Sequence, residues 1–135
     1  MEKKYIELVL KEAEKAYNSG EVPVGAVIIK NNKIIAKAHN MVENKKNSIM
    51  HAEIIAITKA SKKIRNWRLN NCDMYVSLEP CDMCKAVISE ARIKKVYYIL
   101  KKTKCINNTV KYELLNDYEN NYFLREIKEF FINKR

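Results

Sequence analysis

His51-Ala52-Glu53 and, downstream, Pro80-Cys81-Asp82-Met83-Cys84 are the stretches of this chain whose residue types and spacing suit chemistry at a metal. One imidazole and two thiolates make a three-ligand zinc set that leaves the fourth tetrahedral position to water, the arrangement of a catalytic rather than a structural site. Cys81 and Cys84 are three apart, so on a helix they share a face and both sulfurs reach one ion. Pro80 suits a helix entry near Cys81, and a helix N-terminus favours thiolate.

Glu53 follows His51 by two positions and so projects from another side of the same first turn, beside the metal water rather than on the metal. Two thiolates donate charge and weaken the acidifying effect of zinc on that water. A carboxylate that takes the proton compensates, and Glu53 is the candidate general base. Taken singly, C-x-x-C also describes a redox pair, and H-x-E is a weak signal. A structural zinc module is a further alternative, with His39, Cys72 and Cys105 as the spare fourth ligands.

Positioning these groups requires elements that end at them. Ile6, Val9, Ala13 and Ala16 form one stripe of a helix over Lys3 to Asn18, with Gly20 to cap its end. Strands are predicted over Val24 to Lys30 and Lys33 to His39, joined by an Asn31-Asn32 turn. A helix follows His51. A strand near Asp73 to Leu78 leads into the Cys81 helix, whose Ala86, Val87, Ile88 and Ala91 suit burial. A strand near Lys95 to Leu100, a weaker one near Thr109 to Leu115 and a helix over Tyr118 to Asn133 complete the chain. Alternating strands and helices predict an α/β layered domain with the two metal-bearing helices side by side. Gly25, inside a strand pattern, predicts a close backbone approach or a bulge, and the Gly20 to Gly25 segment is a candidate pocket wall.

At 135 residues the chain is expected to be one domain, residues 1–135. No apolar run reaches the ~18 residues of a membrane span, and Met1 to Tyr5 does not open a signal peptide, so the expectation is a cytoplasmic protein with reduced thiols. The net charge of +10 points to a polyanionic partner such as nucleic acid. Lysines outnumber arginines 21 to 5, and the accompanying Asn, Ile and Tyr suggest that AT-rich codons supply part of that charge. Trp67 is read as a packing anchor rather than a base platform.

The H-x-E and P-C-x-x-C pair is the signature of zinc nucleobase deaminases. With Glu21-Val22-Pro23-Val24-Gly25-Ala26-Val27, Asn40, Asn66-Trp67-Arg68-Leu69, Tyr75 to Cys84 and the Phe130-Phe131 pair, the chain resembles the cytidine deaminase-like superfamily, and within it the bacterial tRNA-specific adenosine deaminases. The resemblance implies a three-layer α/β/α fold around a mixed sheet of about five strands. It implies one zinc ion held by His51, Cys81 and Cys84, with Glu53 as proton shuttle. Asn40 would contact the base, Ala52 would offer its backbone N–H, and Val22 and Pro23 would pack against it. Phe130, Phe131, Tyr118 and Tyr122 are candidates to stack on a base, with core packing of the final helix the alternative that accounts for most of them. The family edits the wobble adenosine of a tRNA anticodon stem-loop to inosine and usually works as a homodimer. This sequence departs from it at Lys101 to Asn107, where an Arg-Asp-x-Lys-x-Gly-like segment is expected and where Lys102 stands in place of the acid, and is shorter from there to the final helix. The alternative is deamination of a free base or nucleotide such as guanine, cytosine or dCMP.

Overall fold

The structure, a computed structural model, describes residues 3–101. Helix α1 spans Lys3–Asn18, as its apolar stripe predicts. Strands β1 (Gly25–Lys30) and β2 (Lys33–His39) form a hairpin whose two loop residues, Asn31 and Asn32, both sit at positive φ (51° and 62°). That is the requirement of a two-residue hairpin turn matched to strand twist, and Asn tolerates it. A four-residue helix, α2 (Val42–Lys45), follows and was not foreseen. Helix α3 (Ala52–Ile64), strand β3 (Cys72–Leu78), helix α4 (Asp82–Glu90) and strand β4 (Lys95–Leu100) complete the described elements.

The sheet order is β2-β1-β3-β4. β1 pairs antiparallel with β2 and β3, while β3 and β4 run parallel. The sheet is therefore mixed, with four strands among the described residues rather than about five. The expected strand near Thr109 to Leu115 and the helix from Tyr118 to Asn133 lie outside the described residues.

Alternation along β1 divides the core. Val27 and Ile29 face α1 and pack with Tyr5, Val9 and Tyr75. Ala26 and Ile28 face the other way, onto Ala52, Ala56 and Ala60 of α3 and Ile88 near the end of α4. Both sheet faces are thus covered, giving three layers, α/β/α. Each fully buried Val or Ile contributes about 1.5–3 kcal/mol, and the alanine stripe of α3 lets that helix lie close to the sheet. α4 is less buried than its sequence suggests: Cys84, Ile88 and the following Ala91 form one stripe, while Ala86 is exposed.

Gly25 is a close approach, not a bulge. A Cβ there would run into the Val9 carbonyl, and would lie 2.6 Å from the Ala13 nitrogen. The register shift in β1 falls instead between Ile28 and Ile29. Cys72 is buried and free, whereas Cys105 lies outside the described residues. Trp67 is half exposed, its ring 4.3 Å from the Arg68 guanidinium and 5.5 Å from that of Arg92, so the expected packing anchor is a surface residue between cations. Among the described residues no helix is long and apolar enough to cross a membrane.

Candidate active site

His51 is the N-cap residue of α3 and Cys81 that of α4. Both have extended backbones, and neither side chain makes a capping hydrogen bond. The side chains turn instead toward each other. Cys84, at the third helical position of α4, is where an N-cap side chain naturally meets its own helix. The helix starts one residue later than Pro80 leads one to expect, so Pro80 precedes the cap.

His51 Nδ1 lies 3.7 Å from Cys81 Sγ and 3.5 Å from Cys84 Sγ. All three ligand atoms fall within 4.8 Å of one another. Zn–S and Zn–N bonds of about 2.3 and 2.0–2.1 Å at a tetrahedral angle require an N···S separation of about 3.6 Å. The donor set and its spacing therefore fit one zinc ion. Among the described residues no fourth ligand joins the group: His39 faces Glu12 at 3.3 Å and Cys72 lies in the core.

The electrostatics agree. Burial, with Glu53 and Cys81 adding to it, pushes the Cys84 thiol far above its ordinary range, so a cation is needed to displace its proton. Burial also raises the Glu53 carboxyl, partly offset by its own backbone N–H, His51 and Cys84. Glu53 is only 4 % exposed and lies within hydrogen-bonding reach of Cys84. A carboxyl raised in this way is suited to carrying a proton back and forth.

The group opens into a cavity of about 280 Å³, lined by Val22, Val24, Val42, Ala52 and Leu78 among apolar residues and by Asn40, Glu21, Glu43 and Glu79 among polar ones. Asn40 is 7 % exposed, and its backbone N–H donates to the Val24 carbonyl at 3.0 Å, extending the hairpin ladder beyond β1 and β2. Ser77 fixes the facing wall: its hydroxyl accepts from the Gly25 N–H at 3.1 Å and donates to the Pro23 carbonyl at 3.4 Å. Of the residues expected at a bound base, Asn40, Ala52 and Val22 line the cavity. Pro23 is exposed and does not line it; the strand alternation turns Val24 inward in its place. Phe131 lies outside the described residues. Val42 was missed, because it opens a four-residue helix that the sequence does not announce; Glu21 was expected only as part of the Gly20 to Gly25 wall.

Residues 1–100 match the family model of the cytidine and deoxycytidylate deaminase zinc-binding region, and the chain belongs to that family of zinc-binding deaminases. Within it, the sequence groups with tRNA-specific adenosine deaminases. That of Bacillus subtilis is 46 % identical over 94 residues, covering 70 % of this chain and 58 % of its own. The chain spans about three-fifths of the length of such curated relatives. A solved structure from work on tRNA:A34 deaminases is 40 % identical, with a TM-score of 0.74 over 75 % of this chain and 73 % of that one. The guanine deaminase of Bacillus subtilis is 27 % identical, with a TM-score of 0.80 over 96 % of each chain.

Proposed function

We propose that this chain hydrolyses adenosine to inosine at the wobble position of a tRNA anticodon loop. The observation that carries the chemistry is the buried Glu53 carboxyl beside a zinc-spaced His51, Cys81 and Cys84 at the head of an apolar cavity. The substrate is supported by the identity to tRNA-specific adenosine deaminases.

Zinc held by His51, Cys81 and Cys84 would supply Lewis acidity, lowering the pKa of water at the open position toward neutral. Glu53 would take one proton from the attacking water and deliver it to N1 of the ring, then carry the remaining proton of the hydroxyl added at C6 to the departing amine. Adenosine and water thus yield inosine and ammonia. Ala52 opens α3, so its N–H has no carbonyl within the helix and is free to hold the base. Asn40 meets the base edge, and Val22, Val24 and Leu78 give an apolar wall. An anticodon loop is already unpaired, which makes extrusion of the base inexpensive. Contact of Pro23 and Phe131 with the substrate belongs to the same proposal. The proposal extends to one domain over residues 1–135, a homodimer and a cytoplasmic setting, with which the buried Cys72 thiol is compatible.

Guanine is the second reading, favoured by the TM-score of 0.80 to a guanine deaminase over nearly all of both chains. Purified zinc-loaded protein incubated with an anticodon stem-loop and, separately, with guanine separates the two by ammonia release. Adenosine read as guanosine at the wobble site on sequencing supports the first reading; ammonia from guanine alone overturns it.

A further inference from the structure

Helix α2 lacks a cap of its own. Met41 occupies the N-cap position with a side chain that cannot accept a hydrogen bond, at φ −136° and ψ 25° rather than in extended backbone. The N–H groups an N-cap side chain would serve, those of Glu43 and Asn44, are taken by a residue more than twenty positions away. Glu21 Oε1 accepts from the Glu43 N–H at 2.9 Å, and Oε2 from the Asn44 N–H at 2.7 Å. The Asn44 side chain donates to the same carboxylate and to the Ser19 carbonyl, at 3.1 Å. Glu21 is 5 % exposed and borders the cavity.

The remaining first-turn donor closes the chain of contacts. The Val42 N–H donates to Asn40 Oδ1 at 3.4 Å. With its oxygen engaged there, Asn40 has its amide N–H donors left for a ligand. The loop is pinned at its base by the Met41 N–H on the Met50 carbonyl at 3.0 Å, next to His51. The register of α2 thus sets where Val42 and Asn40 stand relative to Val22 and Val24 on the opposite wall.

We infer that Glu21 is a positioning residue of the substrate pocket, capping α2 from across the loop and thereby fixing Asn40 and Val42 against a bound purine. It touches neither the metal ligands nor the reacting atoms. The inference rests on the deaminase reading above. Burial alone would raise the Glu21 carboxyl, yet the two backbone N–H groups and Asn44 hold it below the usual carboxylate range.

The test compares Glu21→Ala and Glu21→Gln with the parent in three measurements: zinc content, amide exchange, and steady-state kinetics on an adenosine stem-loop. In Glu21→Ala the Glu43 and Asn44 amides should exchange at least roughly tenfold faster, since a charge-assisted acceptor is lost. Zinc content and the amides of β1 should be unchanged. KM should rise roughly tenfold, with kcat changed much less. Glu21→Gln should fall between, because a carboxamide oxygen serves one N–H and its NH₂ opposes the other. Unchanged exchange at Glu43 and Asn44 overturns the capping role. Faster exchange with an unaltered KM, or an equal fall in kcat and kcat/KM, overturns the positioning role. Should the parent leave adenosine untouched, the proposed substrate fails, and the same KM comparison is made with guanine, which enters the same pocket.

Discussion

Glu53 and Cys84 are buried neighbours, and burial disfavours carboxylate and thiolate alike. Their roles nonetheless separate under mutation. Glu53→Ala should retain zinc and lose about 10²–10⁴ of turnover, the range for removal of a positioned general acid–base; zinc analysis beside single-turnover kinetics measures both. Cys84→Ser should lose metal, and X-ray absorption at the zinc edge would count the sulfur ligands remaining. Both residues were legible in the sequence because ligand chemistry is local: types and spacing survive without a fold. Val24 was legible only as part of a candidate wall, because which of two neighbours, Pro23 or Val24, turns inward depends on where the β1 alternation starts.

At the scale of elements, the hairpin was readable from two apolar runs around Asn31-Asn32, and the bounds of α1 and β2 follow from their patterns. α2 was not readable. A helix of four residues has no periodicity to detect, and its stability comes from Glu21, distant in sequence. Gly25 marks the other kind of long-range contact, here visible as a glycine in an apolar strand. Gly25→Ala should destabilise the chain by about 1–3 kcal/mol, because the obstructing atoms belong to the α1 backbone and cannot rotate away; urea melts of the two proteins give the difference. The β1 end that α1 approaches also carries the pocket wall, so the same variant should weaken substrate binding.

Across the molecule, charge has two separable effects. Glu12 is buried between Lys15 at 2.7 Å and His39 at 3.3 Å. Burial opposes its ionisation, but Lys15 and His39 outweigh it and hold the carboxyl below its ordinary range. A lowered folded pKa contributes stability that is present above about pH 4.5 and is lost as pH falls through the folded value. Thermal melts below that pH should show a steeper decline for the parent than for Glu12→Gln. The net charge of +10 acts at longer range. If five phosphates of a single-stranded loop are neutralised, affinity should fall roughly a hundredfold between 50 and 200 mM salt, and a salt titration of stem-loop binding reads the slope.

His51 and Cys81 each begin a helix while their side chains are committed elsewhere. The ion that joins them therefore also ties together two segments about thirty residues apart in sequence, and folding of that corner becomes a gauge of zinc supply. Chelation should fray the first turns over residues 52–55 and 82–85 together, while β1, sealed on both faces, stays protected from solvent exchange. A cell starved of zinc would then lose this protein to proteolysis at those turns as well as to silence at the catalytic step.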